Sequence, residues 1–229
     1  MQENLCVIVP SRGRPANIGR LIDSWAATAA NAHLLVVLDD DDPSFPDYVD
    51  VIDAADGDPA LLDVIVGERI RLGPTLNREA AQIARDWSYL GFMGDDHNPE
   101  TNCWDERVTD HLADMGTGFV YCNDLFQKSN LPTAVFMTSD IVQKLGYMCP
   151  PELVHMYLDN AWLDWGNGID RLRYLPDVII EHLHPEAGKA EDDERYAEVR
   201  PAMGPDSIAY AQYKLDQFPR DIDKLKGLL

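Results

Sequence analysis

The chain has 229 residues, with 40 acidic side chains against 19 basic ones and a formal net charge of −21. So acidic a surface repels a phosphate backbone, which argues against direct binding of duplex nucleic acid, and most of the charge is expected to serve solubility. No apolar run reaches the roughly 20 residues of a membrane-spanning helix, no export segment opens the chain, and Cys6, Cys103, Cys122 and Cys149 form no CxxC pair, so a soluble cytoplasmic protein is expected.

Leu5 to Val9 (LCVIV) is a continuous apolar run suited to a strand buried on both faces of a parallel sheet. Pro10 to Pro15 (PSRGRP) ends it and puts Arg12 and Arg14 on the loop at its carboxyl end, where open parallel sheets bind ligands. Phosphate contact and plain solvation both suit these arginines. Asn17 is placed as N-cap of a helix to Ala30, with Ile18, Leu21, Ile22 and Trp25 on one face. His33 to Leu38 is a second strand, and it empties into Asp39 to Asp42. Asp39, nearest the strand, is the candidate to accept hydrogen bonds from a base or ribose, with the other three left to solvent. After a short helix at Phe45 to Asp53, a third strand spans Asp63 to Val66. A bend at Gly73 and Pro74 leads to a helix whose face carries Ala80, Ile83, Ala84 and Trp87. Arg71, Asn77 and Arg78 lie near its start, where free amides attract anions.

Tyr89 to Pro99 (YLGFMGDDHNP) carries the most chemistry. An apolar strand stops at Gly94 and presents Asp95, Asp96 and His97, a set suited to a divalent metal such as Mn2+ or Mg2+, before Pro99 ends regular structure. The same residue types also suit a polar turn.

The order VIVPSRGRP, VVLDDDDP, LGPTLNREAA and FMGDDHNP resembles the nucleotide-sugar-binding half of GT-A glycosyltransferases, especially the family 2-like group. The resemblance implies an α/β fold with a GT-A-like, Rossmann-type, mostly parallel sheet sandwiched by helices. Residues 1–100 would hold the nucleotide sugar, 101–185 the acceptor, and 186–229 would form a lid segment and a C-terminal helical tail. Pro10, Ser11 and Arg12 would line the nucleotide pocket, Asp39 would contact the base, and Asn77 or Arg78 would lie near the nucleotide or diphosphate. Gly94 stands where many members place the first Asp of a DxD motif. Asp96 is then the preferred metal ligand, with Asp95 reaching the donor sugar or a metal-bound water.

In the second half a helix at Thr101 to Met115, strands at Phe119 to Cys122 and Ala134 to Met137, and a helix capped by Ser139 carry no specific chemistry. Asn123 to Asn130 is expected as a loop at the mouth of the site. Asp159 and Asp164 sit among apolar and aromatic residues, where burial raises a carboxylate's pKa and makes it a usable base. By the resemblance, Asp159 in LDNAW takes the place of the base that deprotonates the acceptor hydroxyl; a helix cap is its other reading. A last strand, Asp177 to Glu181, leads to His182 and His184 on one face, with His184 the preferred further metal ligand. Gly188 and Lys189 open a charged segment suited to a mobile lid, with Lys189 near the diphosphate. Two amphipathic tail helices could pack on the domain, form a homodimer or touch an acceptor protein. The function expected is metal-dependent, inverting transfer of a sugar to a hydroxyl of a glycan, protein or small molecule. A metal-dependent phosphohydrolase or nucleotidyltransferase, or a silent sugar-nucleotide-binding protein, is the alternative.

Overall fold

The structure, a computed structural model, describes residues 4–55, 58–189, 197–198 and 200–229. The four apolar runs of the first half form β1 (Leu5–Ser11), β2 (His33–Asp39), β3 (Leu62–Gly67) and β4 (Tyr89–Phe92). All pair in parallel, β1 with β2 and β4, and β2 with β3. Alternation along β1 assigns its side chains to two cores. Val7 and Val9 pack with Ile18 and Leu21 of α1 (Pro15–Thr28) and Tyr48 of α2 (Phe45–Ala54). Cys6 and Ile8 pack on the opposite face with Leu76 and Ala80 of α3 (Leu72–Ile83). Helices on both faces explain why β1 and β2 read as unbroken apolar runs, whereas β3, at the sheet edge, carries Asp63 and leaves Val64 and Val66 exposed.

The second half adds β5 (His97–Pro99), β6 (Phe119–Asn123), β7 (Val135–Thr138) and β8 (Leu172–His182). The eight strands lie in the order β3-β2-β1-β4-β7-β6-β8-β5. Strand β7 runs antiparallel between β4 and β6, and β5 runs antiparallel on β8; the others share one direction. Helices α4 (Trp104–Met115), α5 (Ser139–Leu145) and α6 (Leu158–Gly168) cover this half, followed by α7 (Met203–Asp216) and α8 (Phe218–Lys226).

Several boundaries depart from expectation for local reasons. Helix α1 starts at Pro15 with Arg14 as its cap, not Asn17, because proline's fixed φ suits the first helical position. Helix α3 takes Gly73 and Pro74 into its first turn and stops before Trp87. Thr138, rather than Ser139, caps α5. Regular structure resumes at His97 and takes in Pro99 as the last residue of the edge strand β5, the place in a sheet where a missing N–H is tolerated.

The tail helices join the main core. Tyr213, Ile222 and Leu225 belong to the same apolar cluster as Leu76, Trp162 and Trp165. The Trp165 indole N–H donates to the Tyr213 hydroxyl at 2.6 Å, which donates to the buried Asp221 carboxylate at 2.8 Å. Each such aromatic buries roughly 150–250 Å², several kcal/mol at about 25 cal/mol per Å², so the tail is anchored by packing. Ala190 to Tyr196 and Val199, most of the expected lid, lie outside the described residues. Among the described residues no helix is long and apolar enough to cross a membrane.

One glycine is fixed by close approach. A Cβ on Gly73 would lie 2.3 Å from the Leu153 carbonyl oxygen, while the Gly73 N–H donates to the Val154 carbonyl at 2.9 Å. Gly73→Ala is expected to cost about 1–3 kcal/mol, as overpacking against backbone does. Thermal unfolding checks this: Tm falls by several degrees, and an unchanged Tm would show that the 153–154 loop moves aside freely.

Candidate active site

Chain ends of β1, β2 and β4 open into a cavity of about 320 Å³. Pro10, Ser11, Arg12 and Asp39 line it, where the parallel sheet predicts a ligand. Arg12 donates to Asp39 at 3.2 Å and also to Asp41. Arg69, on the loop after β3, approaches Asp39 at 3.5 Å. Burial pushes the Asp39 carboxyl up, and the two arginines work against that rise. Arg69 and Arg71 both contact Glu198, Arg71 at 2.7 Å. Four arginines, at positions 12, 14, 69 and 71, therefore face one cavity of a strongly acidic chain. Asp42 corrects the expectation of a solvated run: it is buried and accepts from the Gly13 N–H at 2.7 Å and the Ser44 N–H at 2.9 Å.

The two carboxylates after β4 have separate partners. Asp95 is buried and accepts from Ser11 Oγ at 2.6 Å and from Arg14 at 3.1 Å. Ser11 has one proton to give, so the Tyr48 hydroxyl, 2.8 Å away, donates to it and in turn accepts the Arg14 N–H at 2.9 Å. This chain locks the β1 loop onto Asp95. Burial and the charge of Asp96 push Asp95 up, while Arg14 and Ser11 pull it down less strongly. Asp96 goes the other way. Burial opposes its ionisation, yet hydrogen bonds and charge from His182 and His97 hold it well below the usual carboxylate range.

Strands β5 and β8 bring those imidazoles together. Their antiparallel register sets His97 opposite His182, and the rings stack at 4.3 Å. Asp96, His97 and His182 each offer a ligand atom within 4.8 Å of the others. Their chemistry fits a divalent metal, and two imidazoles with one carboxylate suit Mn2+ better than the harder Mg2+. His182 Nε2 lies 3.4 Å from Asp96 Oδ1, and its buried Nδ1 has no hydrogen-bond partner. His97 Nδ1 accepts the Gly94 N–H at 3.0 Å. His184, the histidine expected from the sequence, stands outside this group although it lines the cavity. Its Nδ1 caps the turn at Glu186, accepting that N–H at 3.2 Å, and its ring stacks on Phe126.

Asp159 lies in the first turn of α6, two residues beyond the cap position at Tyr157, and faces the same cavity. Burial pushes its carboxyl up, against hydrogen bonds from the Asn160 N–H and its own N–H. Asp164 is turned away and holds the tail through Tyr210 and Lys214. Asn77, Arg78 and Lys189 are not among the cavity residues. Asn77 is spent on backbone, accepting from the Met148 and Cys149 N–H groups at 2.8 and 2.9 Å and donating to the Cys149 carbonyl. Arg78 donates to the buried Glu79 at 2.6 Å, and Lys189 pairs with Glu181 at 2.6 Å.

No family model and no curated protein matches the chain in sequence. Solved structures do match in shape. The mannosyltransferase PcManGT from Pyrobaculum calidifontis, in complex with GDP-Man and Mn2+, has a TM-score of 0.62 at 15% identity, over 98% of this chain and 73% of its own. S. aureus TarS gives 0.59 at 14% identity, over 77% of this chain and 36% of its own. A shorter TarS in complex with UDP-GlcNAc gives 0.56 at 14% identity, over 77% of this chain and 57% of its own.

This chain has the GT-A glycosyltransferase fold.

Within that GT-A fold, the glycine before the paired carboxylates has a steric cause. A Cβ on Gly94 would lie 2.6 Å from Asp96 Oδ1 and 3.1 Å from His97 Nδ1. An aspartate there is incompatible with this placement of Asp96. Gly94→Ala is therefore expected to leave the fold intact and weaken Mn2+ binding by about 10–100-fold, the usual scale for disturbing a ligand's support. Titration with Mn2+ checks this, and unchanged affinity would remove Asp96 from the metal site.

Proposed function

We propose that this protein is a metal-dependent glycosyltransferase that moves a sugar from a nucleotide-sugar donor to an acceptor hydroxyl, with inversion at the anomeric carbon. One observation carries the reading: the Asp96–His97–His182 group, the arginines at 12, 14, 69 and 71, and Asp159 with its raised pKa all face one cavity of a GT-A fold. The structural neighbours PcManGT and TarS, solved with GDP-Man and UDP-GlcNAc, make those nucleotide sugars the first donors to try.

In this reading Asp39, oriented by Arg12 and Arg69, accepts hydrogen bonds from the base. Arg69 and Arg71 exchange Glu198 for the donor's phosphates, a stronger match for guanidinium forks than one carboxylate. Asp96 and His182 would hold the metal, with His97 as the third group, and a bound divalent cation would neutralise charge growing on the leaving diphosphate. Asp95, clamped by Ser11 and Arg14, keeps the β1 loop and the Asp96 turn in register. Asp159 takes the proton from the acceptor hydroxyl as it attacks.

The sign of the pH dependence follows from that last role. A base works deprotonated, and burial places the Asp159 pKa above the ordinary value of about 3.9. Turnover should rise with pH through a midpoint displaced upward from that value. Asp159→Asn should remove the rising limb and about two to four orders of magnitude of turnover, with donor affinity retained.

Calorimetric titration of GDP-mannose and UDP-GlcNAc, with and without Mn2+, tests the donor site in wild type and Asp96→Ala. Metal-dependent binding that the variant loses is expected. Nucleoside triphosphate turnover outpacing that of every nucleotide sugar would replace the transferase with a phosphohydrolase or nucleotidyltransferase.

A further inference from the structure

Helix α7 does not line the cavity, yet one face of it reaches the segment and the helix, α6, that do. Asp206, Tyr210 and Lys214 recur at i, i+4 and i+8, so they stand one above another on that face. Asp206 is 2% exposed and accepts the backbone N–H groups of Val154, His155 and Met156 at 3.2, 2.8 and 2.7 Å. One carboxylate gripping three consecutive amides fixes the path of that segment. A turn further on, the Tyr210 ring stacks on Tyr157 with centroids 5.3 Å apart and planes 17° apart. The Tyr210 hydroxyl and the Lys214 ammonium both reach Asp164 of α6, which ties the two helices together.

What this face holds is the approach to Asp159. Tyr157 lies in the left-handed region at φ 67 and ψ 10, where a tyrosine rests only if its surroundings impose it. At this residue the chain turns from the 154–156 segment into α6, two positions before Asp159. His155, Met156 and Tyr157 line the cavity beside Asp159. From the opposite side, the Val154 carbonyl is held by the Gly73 N–H. The segment is thus pinned between α3 and α7, and relaxing Tyr157 towards ordinary backbone angles would swing the first turn of α6.

We propose that α7 is a positioning element of the catalytic site, with Asp206 and Tyr210 as positioning residues that hold Tyr157 in its left-handed turn and so aim Asp159 into the cavity. The inference rests on Asp159 as general base. It gives the tail a part in turnover rather than in donor binding, because Arg12, Asp39, Arg69 and Asp96 belong to elements that α7 does not grip.

The test uses the full chain with Mn2+ and whichever of GDP-mannose or UDP-GlcNAc it binds, reading donor Kd by titration and slow transfer to water by nucleoside diphosphate release. Asp206→Asn and Tyr210→Ala are expected to lower kcat about tenfold or more, since small displacements of a reacting group cost that much, with donor Kd within about twofold. Tyr210→Phe keeps the ring and loses only the hydroxyl bond to Asp164, so its kcat should stay near wild type. The idea is overturned if Tyr210→Phe falls as far as Tyr210→Ala, if donor affinity and kcat fall together, or if kcat does not move. Should Asp206→Asn fail to fold, the two Tyr210 variants decide alone. Wild type binding neither donor would overturn the glycosyltransferase reading itself; donor bound normally with kcat insensitive to Tyr210→Ala overturns only the role of α7.

Discussion

Two adjacent carboxylates taken out of water are the constraint on which the site depends. Removing an ion from water costs several kcal/mol unless it is paired and hydrogen-bonded, and Asp95 and Asp96 also repel each other. Arg14 answers both, at 3.1 Å from Asp95 and 3.7 Å from Asp96. Its position requires the β1 loop, whose Ser11 closes on Asp95, and Tyr48 of α2, whose hydroxyl holds Ser11 and the Arg14 N–H together. Asp96 draws on a different source, the imidazoles that β5 and β8 bring face to face. Their partners therefore divide the pair: burial raises both, Arg14 and Ser11 only partly offset it at Asp95, and the two imidazoles outweigh it at Asp96, which is lowered.

The same economy explains part of the acidity. Besides Asp95 and Asp221, the buried carboxylates of Asp42, Asp105, Asp124 and Asp206 tie down loops. Asp42 holds the β1 loop to α2. Asp105, at the start of α4, accepts the N–H groups of Ala30, Asn31 and Ala32. Asp124 takes those of Phe126 and Lys128 and the Thr133 hydroxyl, and burial is outweighed by these bonds, which lower its pKa. Asp206 does the same for 154–156. A charged acceptor facing two or three amides makes bonds roughly twice as strong as neutral ones, so each tie stiffens a loop that lacks regular structure of its own.

This division also marks what could be read from the residues. Strands β1, β2 and β4 were legible because a strand covered on both faces needs an apolar run, β3 by its β-branched residues although it lies exposed at the edge, and the loops Pro10 to Arg14 and Asp39 to Asp42 follow directly from where the first two runs stop. The cavity wall of Pro10, Ser11, Arg12 and Asp39 was accordingly visible. Strand β5 was not: three residues ending in proline carry no period, and only pairing with β8 makes them a strand. With β5 hidden, the register that sets His97 against His182 was hidden too, and the pattern HLH pointed to His184, nearest the proline. Asn77 and Arg78 were expected near a helix start, where anions are attracted, but α3 begins at Leu72, which puts them past its first turn, and their side chains are claimed by Cys149 and Glu79. Arg71 was marked by its place before α3, whereas Arg69 left only the alternation in ERIRL as a sign. The reach of Asp206 to a segment fifty residues earlier leaves no local trace at all, since its cause is tertiary packing of α7 on α6.

A divalent cation and a nucleotide sugar should meet between Asp96 and Asp159. Crystals soaked with Mn2+ and a bound nucleotide sugar, measured at the manganese absorption edge, locate both directly. An anomalous peak in contact with Asp96 and His182 is expected, with the donor's diphosphate next to it, the base beside Asp39 and the anomeric carbon facing Asp159. A peak held elsewhere, or a donor bound outside this cavity, would contradict the placement of the metal and donor sites.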